Sequence, residues 1–366
     1  MREYLLVLLI GAVTTYLLSG LARKIAVRFG AVALVRDRDV HTVPVPYFGG
    51  AAMLGGLIAA FVAAEVLPWL GRNESVAHDT RAVLLGALVI VVVGILDDIY
   101  ELSPIAKVSG QVLAASVIVV SGVRIYWIPL PDSIISLDDG AAIFLTVVLV
   151  FLCVNAVNLV DGLDGLAAGV VAIGAGAFFG YSYLLSYEQD LVRATTASLV
   201  SVGTLGICLG FLPHNVHKAR MFMGDSGSML LGLLMATSTV TLTGQIDPSQ
   251  LRATEGNLMP AYLPLLLPIA ALALPLLDMF MAYTRRMIAG KPWYQPDRQH
   301  LHHRLLGGGH SHRAAVGLMW LWSAIVAYGA IALVLWTSWI TAGVVALALA
   351  TALVLTVRRP RASHEA

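Results

Sequence analysis

The sequence predicts an all-α, polytopic integral membrane protein. About eleven transmembrane helices are expected, with the N-terminus outside, the C-terminus cytoplasmic and the active site on the cytoplasmic face. Three observations predict this. Of 366 residues, 58% are hydrophobic and 12% are charged, about half the charged fraction of a soluble domain. Apolar stretches long enough to cross roughly 30 Å of hydrocarbon as helices recur along the chain, whereas closed barrels show only weak alternation. Lys and Arg collect on one side of the resulting spans, as cytoplasmic loops do. A net charge of +1 with no basic run carries no signature of nucleic-acid binding.

The expected spans are 4–22, 49–70, 82–96, 108–126, 141–158, 166–186, 194–212, 227–244, 261–283, 315–336 and 338–357. Proline and glycine mark many of the boundaries. The first span reads as retained rather than cleaved. Arg2 is offset by Glu3, and Arg23, Lys24 and Arg28 separate the span from the small-residue stretch Ala31–Ala33. Cys153 and Cys208 both lie inside apolar runs and read as small buried hydrophobes, not as a disulfide. No hydrophilic segment stands apart, so residues 1–366 form one domain, its motif-bearing core about 36–313 and its extra C-terminal span about 338–357.

With the N-terminus outside, seventeen of the 23 Lys and Arg fall inside. The same orientation gathers HTVPVPYFGG, DDIYELSPIAK, NLVDGLDG, HNVHKARMFMGDSGS and DRQHLHHRLL on the inner face without further choice. The outer loops hold ordinary polar sequence such as GRNESVAHDT.

Each inner segment has a chemical reading. In NAVNLVDGLDG, the 100° turn per residue brings Asn155, Asn158 and Asp161 near one face of a helix end. Gly162 and Gly165 then permit a bend that presents Asp164. Capping explains one or two such residues but poorly explains four, and an ionised Asp well inside a bilayer costs about 2.5–3.5 kcal/mol. Asp97 and Asp98 repel unless a cation is near; in a plain loop start, Lys107 is a distant partner. In FMGDSGSMLLG, Asp225 opens an apolar helix whose free N–H groups form an anion seat, with glycines on both sides that admit a close ligand; a simple N-cap is the plainer reading. His300, His302, His303 and Arg304 in HLHHRLL read as a phosphate clamp in preference to a zinc site. Together these residues form an oxygen-rich site suited to Mg²⁺ or Mn²⁺ and to phosphate chemistry, with one substrate drawn from the lipid. A transporter places its acids near mid-bilayer, whereas here they lie at span ends. An intramembrane prenyltransferase needs neither FMGDSGS nor the histidine segment.

The ordered set GILDDIYELSPIAKVSGQ, NAVNLVDGLDGLAAG, FLPHNVHKARMFMGDSGSMLLG and PDRQHLHHRLL resembles the polyprenyl-phosphate N-acetylhexosamine-1-phosphate transferases. HLHHRL, in place of three consecutive histidines, is similar to the branch that uses UDP-GlcNAc and not UDP-MurNAc-pentapeptide. The resemblance implies that a polyprenyl phosphate (undecaprenyl or decaprenyl) attacks the β-phosphate of UDP-GlcNAc and releases UMP. The resemblance makes this the first membrane step of a cell-envelope polysaccharide of the arabinogalactan-linker, teichoic-acid or O-antigen type. It implies Mg²⁺ at Asp225 with Asn158 in support, and Asp97 and Asp98 at the lipid phosphate or as base. Asp161 falls near the ribose and pyrophosphate, and Asn155 among the substrate contacts. Asp164, Asn215 and Phe222 fall at the uracil, and Lys107 with His300, His302, His303 and Arg304 at the phosphates. It further implies the inner membrane and a homodimer.

Overall fold

A computed structural model describes residues 1–29, 32–33, 45–129, 134–188, 192–243, 266–267, 269–290, 292 and 300–358. The helices are α1 (Arg2–Phe29), α2 (Gly49–Val66), α3 (Glu74–Tyr100), α4 (Pro104–Val120), α5 (Asp139–Val160) and α6 (Leu166–Glu188). They continue with α7 (Val192–Asn215), α8 (Gly224–Thr243), α9 (Ala273–Ile288), α10 (Leu301–Gly307), α11 (His312–Leu335) and α12 (Trp339–Val357). Two small antiparallel ribbons accompany them: β1 (Val32–Ala33) with β2 (Val45–Pro46), and β3 (Trp127–Pro129) with β4 (Ile134–Ser136).

Among the described residues, nine helices are long and apolar enough to span a membrane. The chain is thus an all-α multi-pass membrane protein. Two expected spans are placed differently. The one expected at 108–126 is the 17-residue α4, shifted towards the N-terminus because Ser103 caps it, its side chain accepting from Ala106 N–H at 3.3 Å, and Pro104 occupies the first turn. Gly122, at φ +89°, lies just past its end. Of the span expected at 261–283, residues 261–265 and 268 lie outside the described residues, and α9 runs on to Ile288, carrying Arg285 and Arg286 in its last turn. Cys153 and Cys208 are free and buried, as expected.

The centre of the bundle is α8, whose spanning residues are all buried. It packs against α2, α3, α5, α6 and α7. Lacking a hydrophobic drive between helices in lipid, such contacts depend on small residues that let backbones approach. Gly94 of α3 lies against Ser226, and Gly50 of α2 against Gly227, so closely that a Cβ at either glycine would collide with the α8 backbone. The hydroxyls of Thr237, Ser238, Thr239 and Thr241 along α8 donate to carbonyls three or four residues back, which satisfies them inside the bundle. At the periphery, α12 leans on α11 and buries almost nothing.

Alternation of direction puts the C-terminal ends of α3, α5 and α7 and the starts of α4, α6 and α8 at one end of the bundle. The inner-face segments named above, where they fall on described residues, all lie there.

Candidate active site

The head of α8 organises this end. Asp98, in the last turn of α3, accepts from the backbone N–H of Asp225 at 2.7 Å and of Ser226 at 3.3 Å. It also accepts from the Ser226 hydroxyl at 3.0 Å. The seat read from sequence as open to an external anion is therefore filled by the protein's own carboxylate. The flanking glycines are explained in the same way. Gly224, at φ +69°, leaves the space that Asp98 occupies, and Gly227 faces the Met223 side chain and Gly50 of α2.

Asp97 has the other job. Its Oδ1 accepts from Leu102 N–H at 2.9 Å, which fixes the turn after α3. Its Oδ2 pairs with Lys107 Nζ at 2.7 Å, and the same ammonium reaches Asp225 Oδ2 at 2.6 Å. Lys107 is thus the direct bridge between two carboxylates, not the distant partner of a loop start. Asn158 completes the group: its amide donates to Asp225 Oδ1 and, at 2.8 Å, to Ser228 Oγ. Asn155, expected among the substrate contacts, turns elsewhere. Its amide donates to Gln111 Oε1 and to the Phe151 carbonyl, both at 2.8 Å, and so ties α5 to α4.

Asp161 follows the last turn of α5 and is half-buried. Its carboxylate has no hydrogen-bond partner among the described residues. Burial, and then the charges of Asp225, Asp98 and Asp164, push its pKa well above the usual carboxylate range. Of the four carboxylates Asp97, Asp98, Asp161 and Asp225, Lys107 pairs with two, and the excess calls for a cation or a proton.

A second layer ties the two conspicuous loops together. Asn215, at the end of α7, accepts from Gly165 N–H at 2.9 Å and donates to the Met221 carbonyl at 3.0 Å. Asp164 reaches the other way, its Oδ2 accepting from Ala219 N–H at 3.0 Å and lying 3.2 Å from His217 Nδ1. Phe222 is held by Pro46 and Gly49 through its backbone N–H and carbonyl, with its ring 6.3 Å from that of Tyr47. HTVPVPYFGG and FMGDSGS thus meet through residues 45–50; residues 41–44 lie outside the described ones.

The histidine segment closes over this layer. His302 is buried with its Nε2 against Gly162, where a Cβ would have no room. Burial, and then the neighbouring His303 and His300, push its pKa down to about 3, so the ring is neutral. Its Nδ1 has no partner among the described residues. His300 pairs with Asp278, while Arg304 is exposed on α10 and His303 is half-buried. The rings of His300 and His302 lie parallel with centroids 5.8 Å apart, which does not converge their nitrogens on one metal. Residues 297–299 of the same motif lie outside the described ones.

Among the described residues, one trio could hold an ion: Asp164, His217 and His312, with ligand atoms within 4.8 Å of one another. Its geometry is poor for a cation. The imidazoles are stacked at 4.3 Å and 27°, which sends their lone pairs side by side. Lys218 and Arg313 line the adjoining cavity of about 440 Å³.

Asp278, His217, His312 and Gln111 were not singled out from sequence. Asp278 had a readable signal, a lone acid inside the apolar run ALALPLLDMFMAY, since an ionisable residue in a span is a functional candidate by default. The other three carry no comparable local signal.

Comparison with known proteins agrees with this architecture. The family model for glycosyl transferase family 4 matches residues 80–243. A decaprenyl-phosphate N-acetylglucosaminephosphotransferase of Mycobacterium tuberculosis H37Rv is 44% identical over 335 residues, 90% of this chain and 82% of the relative. The protein of the same name in Mycolicibacterium smegmatis is 42% identical over 362 residues, 98% and 88% of the two chains. A probable undecaprenyl-phosphate N-acetylglucosaminyl 1-phosphate transferase of Bacillus subtilis is 32% identical over 328 residues, 89% and 83%. With relatives this similar along nearly the whole chain, and with the acidic cluster drawn together at one end of a membrane bundle, the protein belongs to glycosyl transferase family 4, in its branch of polyprenyl-phosphate N-acetylglucosamine-1-phosphate transferases.

Proposed function

We propose that the protein transfers N-acetylglucosamine-1-phosphate from UDP-GlcNAc to decaprenyl phosphate. An oxygen of the lipid phosphate bonds to the β-phosphorus, the bond from that phosphorus to the bridging oxygen breaks, and UMP departs with the electron pair. Polyprenyl-pyrophosphoryl-GlcNAc remains in the membrane. The carrying observation is the Asp97–Lys107–Asp225–Asn158 chain beside Asp161, whose carboxylate has no hydrogen-bond partner among the described residues, at one end of the bundle where lipid and nucleotide can meet. The decaprenyl chain is preferred because the mycobacterial relatives named for it are more similar than the Bacillus protein named for undecaprenyl.

The donor set fits Mg²⁺: carboxylate and amide oxygens, with more acids than Lys107 pairs, and one carboxylate without a hydrogen-bond partner among the described residues. Asp225 and Asp161, with Asn158 in support, would hold the ion, which supplies neutralisation of the pyrophosphate charge. The protein's own contribution is position and charge. Lys107, fixed between Asp97 and Asp225, carries an ammonium beside the phosphates. Asp98 secures the head of α8, so that Asp225 keeps its place. Asp164 and Asn215 join the two loops that frame the uracil against Phe222. His300, His302, His303 and Arg304 approach the phosphates from the other side. The lipid phosphate needs no base, because a phosphate monoester, with its second pKa near 6, is largely ionised at neutral pH. The excess of Lys and Arg in the loops assigned to this end supports a cytoplasmic site and an inner-membrane location.

The test is purified protein in nanodiscs with decaprenyl phosphate, Mg²⁺ and a donor panel of UDP-GlcNAc, UDP-GalNAc and UDP-MurNAc-pentapeptide. UMP release with label entering lipid from UDP-GlcNAc is expected, and Asp225→Asn abolishes it. Transfer from the pentapeptide donor alone refutes the sugar assignment, and full turnover in Asp225→Asn refutes the metal assignment.

A further inference from the structure

Asp278 is wholly buried on α9, a helix that the chemistry above does not otherwise use. A carboxylate at such a site has lost its water and is tolerated only against donors. Each of its oxygens has one. Oδ2 lies 3.0 Å from Nδ1 of His300, and Oδ1 accepts from the backbone N–H of Leu301 at 2.9 Å. His300 stands at the N-cap position of α10, yet its own side chain caps nothing. The cap comes instead from Asp278, 23 positions before the Leu301 N–H that it accepts from. One buried anion therefore fixes both the start of the histidine helix and the rotation of its first imidazole.

We propose that Asp278 is the positioning residue of the histidine segment, holding a proton on Nδ1 of His300 so that Nε2 is the end presented to substrate phosphate. The inference rests on the transferase reading, in which His300 meets phosphate oxygens. With both nitrogens protonated, Nε2–H donates to the phosphate while Asp278 balances the charge. The ring then lies between two anions in a set orientation, as when a carboxylate orients a histidine bound to a metal. The same carboxylate explains why His302 sits where it does. With Leu301 N–H fixed, the first turn of α10 places the next imidazole against Gly162 beside Asp161.

The experiment is a double-mutant cycle on the purified full-length protein, with kcat and KM for UDP-GlcNAc measured for Asp278→Asn, His300→Ala and the pair. Asp278→Asn is expected to lower kcat roughly tenfold with little change in KM, and to add less than a further twofold when His300 is already alanine. An equal tenfold loss in both backgrounds overturns the proposal, because the carboxylate then acts on the fold and not through His300. Should the Asn variant not fold, the wild type decides. In ¹⁵N-histidine-labelled protein, the signal missing from His300→Ala is expected to show a protonated Nδ1, and a bare Nδ1 overturns the proposal. Undiminished turnover in His300→Ala also overturns it and locates the failure in the clamp, whereas absence of UMP release by the wild type is a failure of the transferase reading and leaves the ¹⁵N result standing.

Discussion

Replacing Asp98 by alanine removes three acceptor contacts from the head of α8 at once, two to backbone N–H groups and one to the Ser226 hydroxyl. Loss of an N-cap side chain costs about 0.5–2 kcal/mol. Loss of a carboxylate at a partly buried helix N-terminus costs up to about 2 kcal/mol more. The alanine variant should therefore lose between about 0.5 and 4 kcal/mol of stability. Asp98→Asn keeps one acceptor oxygen, so a smaller loss than that of alanine is expected. Both cysteines are buried and free, which makes a thiol-reactive dye a direct reporter of thermal unfolding in detergent. The unfolding midpoint should fall in the order wild type, Asn, Ala, with turnover falling in the same order as Asp225 loses its seat. A base at this position behaves differently: both variants are equally inactive, and the Asn variant melts with the wild type. That second pattern would refute the capping role and return Asp98 to the reacting groups.

Lys107→Gln leaves Asp97 and Asp225 without their shared cation, so turnover should fall at least a hundredfold, the scale of losing one preorganised charge at a transition state; UMP release checks it. Asp161→Asn should stabilise the protein at pH 7 in EDTA while removing activity. The folded-state pKa of Asp161 is raised, so its favourable contribution is present only at low pH and is lost as pH rises through that pKa; an unchanged midpoint counts against the shift. His302 has the opposite sign. Its folded pKa of about 3 lies below the ordinary 6.5, so its contribution is present above pH 6.5 and falls away as pH drops towards 3, by at most about 1.4 kcal/mol per pH unit. His302→Asn should flatten that slope in melting curves between pH 6.5 and 4. Gly162→Ala adds a methyl where Nε2 of His302 lies and should lower turnover severalfold by displacing α10; wild-type turnover would mean that the histidine segment accommodates the methyl at no cost to catalysis.

Which side chains gather at one end of the bundle was largely readable in the sequence, because a charge or amide in an apolar chain is conspicuous in one dimension. Asp97, Asp98, Asn158, Asp161 and Asp225 all stand out in this way, and alternation of spans was enough to bring them to one end. What each residue does was not readable, because roles here are set by partners far along the chain. Asp98 and the N–H it caps are 127 residues apart, Lys107 and Asp225 are 118 apart, and no local pattern encodes either distance. The glycines of FMGDSGS illustrate the difference. Read locally, they leave room for a ligand; in the fold, that room belongs to Asp98, Met223 and α2. Asn155 illustrates it again, since helical spacing correctly puts it on the face of Asn158 and Asp161, yet one turn deeper that face meets Gln111 of α4 instead of the site. Spacing along one helix fixes which side chains share a face. Which neighbour that face meets at each turn is decided by the packing of the whole bundle, and in this protein the close approach of α2, α3 and α5 to α8 makes that decision.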